Sequence, residues 1–161
     1  MMGGRLASNI AQALHRTGLA PHRLEIEITE TALVADDELA LTALQEVRKL
    51  GVKISLDDFG TGYSSLSYLH RFPIDRIKID RSFVNQLPGD PGSASIVRAI
   101  AQLGESLKLE VTAEGIETDE QFDYVAQHGC GNMQGYLFSR PVDAASVAKL
   151  FADAAPRRSA A

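Results

Sequence analysis

The sequence predicts an α/β fold, a partial TIM-like (β/α) barrel of about five parallel strands with flanking helices. Three observations predict it. Short strand-like runs alternate with helical patterns along nearly the whole chain, and repeated strand–helix units of this size build a parallel sheet or a barrel. The first four runs alternate apolar and polar residues, so each strand has one apolar and one polar face. Carboxylates gather at or just beyond the C-terminal ends of those runs, the face on which (β/α) barrels carry their active sites.

The elements follow in order. Leu6–Thr17 has a helical pattern ended by Gly18. In the strand Leu24–Ile28, Leu24, Ile26 and Ile28 oppose Glu25 and Glu27. The helix Asp36–Leu50 sets Leu39, Leu41, Leu44, Val47 and Leu50 on its apolar side, with Asp36 as cap. In Val52–Leu56, Ile54 and Leu56 oppose Lys53, Ser55 and the following Asp57. In Arg76–Asp80, Ile77 and Ile79 oppose Arg76, Lys78 and Asp80. The helix Ser93–Leu107, capped by Ser93, carries Ile96, Val97, Ile100, Leu103 and Leu107. In Leu109–Ala113, Val111 and Ala113 oppose Glu110, Thr112 and the following Glu114. A helix over Thr118–His128, a strand over Met133–Phe138 and a helix over Asp143–Phe151 complete the series, with Thr118 and Asp143 as caps. Residues 1–5 read as a start-site remnant, 6–153 as one domain and 154–161 as a disordered tail.

Two arrangements produce strands with one polar face. One is a two-layer sheet with that face in water. The other is a barrel whose lumen holds a charged site, because an ordinary parallel sheet buried on both sides shows continuous apolar runs. The placement of Glu27, Glu30, Asp57, Asp58, Asp80, Glu114 and Glu117 favours the barrel, since a solvated face has no reason to concentrate carboxylates at one end.

Composition excludes several classes. The 161 residues are 45% hydrophobic and 23% charged with net charge −5, which suits one globular domain and argues against a duplex nucleic-acid partner. There is no apolar run long enough for a membrane span and no signal-peptide pattern. The one cysteine, Cys130, reads as a small buried residue. His15, His22, His70 and His128 lack metal-ligand spacing. A reducing cytoplasmic setting fits best.

A rim of carboxylates repels itself unless neutralised, and divalent cations do this without protonating the acids. Asp57-Asp58 is the sharpest case, although such pairs also cap helices or sit on surfaces. The residues that follow, Phe59-Gly60-Thr61-Gly62-Tyr63-Ser64-Ser65, form either a tight loop whose N–H groups point inward or a plain strand-to-helix turn. Lys78 lies within an isoleucine-rich strand and needs carboxylate partners on a lumen face. It either orients a nucleophilic water or balances phosphate charge, or forms a buried salt bridge with no catalytic part.

Glu27-Ile28-Thr29-Glu30, Asp57 to Ser65, Ile77-Lys78-Ile79-Asp80, Ala113-Glu114-Gly115-Ile116-Glu117-Thr118 and Gln134-Gly135-Tyr136 resemble, in order, the motifs of the EAL domain family, metal-dependent phosphodiesterases of the bacterial messenger cyclic di-GMP. The resemblance runs from about Leu6 to Phe151 and covers the C-terminal two-thirds of such a domain. It implies that Glu27, Asp57, Asp58 and Glu114 match metal ligands, with Asp57 as the bridge. It implies catalytic roles for Lys78, near the attacking water, and for Glu114, Glu117 and Gln134. Glu30 matches the glutamate that holds the Asp58–Ser65 loop. Asp80, Arg140 and Pro141 match positions close to the nucleotide. The implied cofactor is Mg²⁺ or Mn²⁺ in a two-metal site, with Ca²⁺ inhibitory, and the product is linear pGpG. The family architecture allows attached sensory or diguanylate cyclase-type domains.

Two departures qualify what is implied. The Glu-Ala-Leu motif and the asparagine of the next strand, both sources of metal ligands, have no counterpart and would lie upstream of Met1, so the N-terminal strands of the barrel are expected to be missing. Gly131 stands where the family often has aspartate. The expectation is a truncated phosphodiesterase sequence that is inactive as this isolated chain and associates with itself through open sheet edges. The alternative is a non-catalytic cyclic di-GMP-binding or protein-interaction module.

Overall fold

The computed structural model describes residues 3–30, 32, 37–62 and 66–153. Its elements in chain order are α1 (Gly3–Thr17), β1 (Glu25–Thr29), α2 (Asp37–Lys49), β2 (Lys53–Phe59), α3 (Leu66–Arg71), β3 (Arg76–Ile79), α4 (Arg81–Val84), α5 (Pro91–Leu107), β4 (Glu110–Glu114), α6 (Asp119–Gln127), β5 (Asn132–Gln134) and α7 (Ala144–Asp153). A 3₁₀ turn, Pro21–Arg23, leads into β1. The five strands pair in sequence order, all parallel. The expected α/β sheet with flanking helices is therefore present.

The apolar strand faces make the core. Ile54, Leu56, Ile77, Ile79, Val111 and Ala113 are buried together with Leu44 and Val47 of α2 and Val97 and Ile100 of α5. The opposite face is polar, yet it is buried along the middle of the sheet: Ser55 is 0% exposed, Lys78 5% and Thr112 6%. A polar face in water would expose these residues. Their burial fits a sheet curled around its polar side, the geometry of a barrel lumen.

One irregularity sets up the site. Leu56 pairs with Ile77 and Phe59 with Ile79, so three steps along β2 match two along β3. The extra residue is absorbed where Asp58 takes a left-handed backbone at φ 55°, a β-bulge at a non-glycine position. Strict alternation would send Asp58 to the core side and Phe59 to the polar side. The bulge returns Phe59 to the core, where it is 5% exposed, and frees both aspartates for the polar side. It also carries β2 past Leu56, the strand end expected from apolar alternation.

Other boundaries differ from expectation for identifiable reasons. Two short helices, α3 and α4, were not signalled by periodicity. The last strand stops at Gln134, not Phe138, because Gly135 sits on the backbone of Ile116. There the Ile116 N–H donates to the Gln134 carbonyl at 3.0 Å and the Leu137 N–H to the Ile116 carbonyl at 2.9 Å, turning the chain out of the sheet. Helix α5 is capped by Asp90, whose carboxylate accepts from the Ser93 N–H at 2.6 Å, not by Ser93. Pro91 occupies the first turn, where its missing N–H costs nothing. Thr118 caps α6 in a capping box with Gln121, and Asp143 accepts from the Ser146 N–H at 2.8 Å. Asp36 and the tail 154–161 lie outside the described residues. Helix α1 begins at Gly3, earlier than the apolar pattern signals.

At the N-terminal end of the polar face, Arg76 bonds Glu25 at 2.8 Å and also Glu110, and Lys53 reaches Glu110 at 3.1 Å. Bonds from Arg76 and Lys53 hold the Glu110 carboxyl below its ordinary range. This group ties four strands together at the end away from the candidate site.

Cys130 is 3% exposed, and burial pushes its thiol up to about 11. Native protein at pH 8 is expected to react with a disulfide reagent at least ~10-fold more slowly than urea-unfolded protein, because the thiolate is the nucleophile. Equal rates would place the thiol at the surface.

Candidate active site

Four strands deliver acidic or basic side chains to the upper half of the polar face: Glu27 from β1, Asp57 and Asp58 from β2, Lys78 from β3 and Glu114 from β4. They converge. Lys78 Nζ lies 2.7 Å from Glu27 Oε1, 2.7 Å from Glu114 Oε1 and 3.1 Å from Asp57 Oδ1. Its side chain is 6% exposed, whereas those of Asp57 and Glu114 are 21% and 17% exposed and that of Glu27 is 51% exposed. Burial disfavours the ammonium, but close contact with Glu114, Glu27 and Asp57 outweighs it and raises the Lys78 pKa. Three carboxylates thus surround the Lys78 ammonium and favour its charged form.

One lysine does not neutralise the ring. Burial raises the Glu114 pKa; Lys78 opposes this, while Asp57 and Glu27 add to it. The Asp58 pKa is raised by burial and by repulsion from Asp57 and Asp80. Asp80 goes the other way: burial disfavours its charge, but bonds from Ser82 and the neighbouring Arg81 lower its pKa. Its Oδ1 accepts from the Ser82 N–H at 3.0 Å, capping α4.

Among the described residues, no group of His, Cys, Asp or Glu is gathered around a common ion position. The space shared by Glu27, Asp57 and Glu114 holds the Lys78 ammonium instead. The donor set is nevertheless all carboxylate oxygen, with three acids sharing one ammonium and Asp58 repelled by Asp57 and Asp80, and that chemistry fits a hard divalent cation.

Glu30 is 6% exposed and faces the loop after β2. A Cβ placed on Gly62 would come within 3.2 Å of the Glu30 carboxyl group, so the carboxylate lies against that backbone. The loop also folds on itself, with the Thr61 hydroxyl donating to the Asp58 carbonyl at 2.8 Å. Tyr63, Ser64 and Ser65 lie outside the described residues.

Above the lysine a cleft of about 400 Å³ is lined by Asp58, Asp80, Arg81, Glu114, Gly115, Glu117, Gln134, Gly135 and Tyr136. Five of the eleven sequence-derived candidates line it: Asp58, Asp80, Glu114, Glu117 and Gln134. Asp57, Glu27 and Lys78 do not line the cleft. Arg140 and Pro141 border an adjoining depression of about 360 Å³, where the Arg140 guanidinium stacks 4.6 Å from the Tyr136 ring centroid. Sequence reasoning gave no role to Arg81 or Tyr136. A basic residue directly after a strand-end aspartate was the signal for Arg81; Tyr136 had none beyond its motif.

Gly135 makes the cleft wall possible. A Cβ there would lie 2.1 Å from the Ile116 carbonyl oxygen and 2.3 Å from its nitrogen. Backbone cannot yield as a side chain does, so Gly135→Ala is expected to cost about 2 kcal/mol and to displace Gln134 and Tyr136. Urea denaturation measures the first, and the Tyr136 ring resonances the second. A variant as stable as the parent would show that the turn relaxes freely.

Fold and site together define an α/β protein of the (β/α)-barrel kind, with a lysine-centred carboxylate site at the C-terminal ends of its strands. The chain belongs to the EAL domain family, whose model matches residues 1–141. It is 43% identical over 155 residues to the cyclic di-GMP phosphodiesterase NbdA of Pseudomonas aeruginosa, covering 94% of this chain and 20% of that protein. The structure matches a MucR phosphodiesterase–c-di-GMP complex, MucR being a P. aeruginosa protein, with TM-score 0.84 and 44% identity, over 88% of this chain and 57% of that one. It also matches Klebsiella pneumoniae BlrP1 in a manganese/cyclic di-GMP complex, with TM-score 0.79 and 36% identity, over 83% of this chain and 34% of that one. The chain spans 18–20% of the length of the first curated relatives it matches. No described helix is long and apolar enough to cross a membrane.

Proposed function

We propose that residues 6–153 form the metal- and phosphate-facing part of a cytoplasmic site that binds cyclic di-GMP, and that in a complete EAL domain this site hydrolyses it to linear pGpG with Mg²⁺ or Mn²⁺. The observation that carries the reading is the Lys78 ammonium held by carboxylates from three other strands beside Asp58, in a chain similar to cyclic di-GMP phosphodiesterases. Glu27, Asp57, Asp58 and Glu114 are the residues that would hold the cation. When bound, the cation supplies Lewis acidity and an activated water. Lys78 keeps its proton and fixes Glu27, Asp57 and Glu114 in place, with its charge set to orient a water. Glu117 and Gln134 close the cleft on the far side, and Asp80, Arg140 and Pro141 border the nucleotide.

The same reading has the chain alone binding nucleotide without fast turnover, as a binding module would, because the sequence contains no Glu-Ala-Leu motif. It also has the chain associating through the β1 and β5 edges and through α7, which leaves Val147, Leu150 and Phe151 exposed; light scattering measures this. The functional test titrates cyclic di-GMP onto the chain in Mn²⁺ and after chelation. Hydrolysis is followed in the chain alone and in the chain joined to the part of the MucR domain that it does not cover. Binding that needs the metal, with pGpG release only in the joined protein, supports the reading. Metal-independent binding, or no binding, refutes it.

Glu30 has a positioning part here. Glu30→Ala is expected to weaken metal and nucleotide binding together by about 10-fold, because it removes the carboxylate that lies against the Gly62 backbone, as read by calorimetry. Unchanged affinities for both would remove the role.

A further inference from the structure

We infer that Arg81 is the phosphate-contacting cation of the cleft, a substrate-positioning residue; this rests on the cyclic di-GMP reading above. The four carboxylates that line the cleft, Asp58, Asp80, Glu114 and Glu117, face one lining cation, Arg81. A phosphodiester carries negative charge and is repelled by such a rim. Lys78 is poorly placed to offset this, since it is buried below the cleft and committed to Glu27, Asp57 and Glu114. Arg81 is exposed, and among the described residues its guanidinium forms no ion pair. Its planar fork of N–H donors matches two phosphate oxygens at once.

The backbone holds Arg81 at the rim from two sides. Asp80 caps the turn that begins with it. The next strand end presses against it, since a Cβ on Gly115, whose φ is +75°, would lie 2.6 Å from Arg81 Cβ and 3.3 Å from its Cα. The strand-end turn of β4 and the start of α4 are therefore in close contact only because residue 115 is glycine. Arg81 is thereby fixed at the cleft, and among the described residues its side chain forms no ion pair.

The test is equilibrium binding of cyclic di-GMP to the 161-residue chain in Ca²⁺, with Arg81→Gln and Arg81→Lys, alongside the melting temperature of each. Arg81→Gln is expected to weaken binding about 10- to 100-fold, the worth of a charge-assisted contact, and Arg81→Lys by less. The melting temperatures should match, since glutamine and lysine both keep the Cβ that meets Gly115 and lose only the guanidinium. Equal affinity of Arg81→Gln and the parent overturns the inference while leaving the cyclic di-GMP reading standing. A Gln variant that loses affinity only along with its melting temperature, or a Lys variant as weak as Gln, overturns it too. No binding by the parent chain refutes the cyclic di-GMP reading, and this inference with it.

Discussion

Asp57→Asn, placed in the chain joined to the uncovered part of the MucR domain, is expected to lower Mn²⁺-dependent release of pGpG by about 1,000-fold or more. Three features put Asp57 at the centre. It lies on the strand flanked by β1 and β3, at the level of Thr29 in the register. Its carboxylate is 3.1 Å from Lys78 Nζ. The adjacent Asp58 is turned to the same side by the bulge. A neutral amide in its place keeps the shape but removes one charge from the oxygen donor set. Metals contribute several kcal/mol to transition-state stabilisation, and each 1.4 kcal/mol is a factor of ten. Metal binding by calorimetry should fall in parallel. Parent-like turnover by the variant would sink the assignment of Asp57 as a ligand.

Lys78→Met is expected to destabilise the metal-free chain by about 3 kcal/mol. The methionine matches the apolar stem but leaves Glu27, Asp57 and Glu114 facing one another without a counter-charge. Removing one partner of a buried ionic group costs about 3–5 kcal/mol. The low end applies because Glu27 is half exposed and can turn to water. For a chain of this size the loss corresponds to roughly 6–12 °C in melting temperature. Urea unfolding in chelator measures it directly. Divalent cation is expected to restore part of the loss, since it supplies the missing positive charge. A variant as stable as the parent would mean that the three carboxylates are solvated, contrary to the burial of Asp57 and Glu114.

Much of this was legible in the residues. Alternation along four strands identified the apolar face that became the core, because a strand's side chains alternate by covalent geometry alone. The capping pattern at Thr118 identified a helix start for the same reason: the bonds are local. The carboxylates and the lysine were identifiable as a group because they recur at equivalent places in successive units.

What local pattern did not contain is how those units meet. Alternation continued past Leu56 would put Asp58 on the core side of β2; only pairing with β3 requires the extra residue that turns it round. Polar strand faces were compatible with water or with a lumen, and the burial of Ser55, Lys78 and Thr112 depends on the curl of the whole sheet. Strand β5 read as longer than it is, since its end is imposed by Ile116, which lies 19 residues before Gly135 in the chain and touches it. The partners of Lys78 are likewise spread from residue 27 to residue 114. Residue types and their period therefore determined which groups are charged and which face of each strand they occupy. The tertiary structure alone decided that three carboxylates close on one ammonium, because that requires distances between strands, and no segment of the chain specifies these by itself.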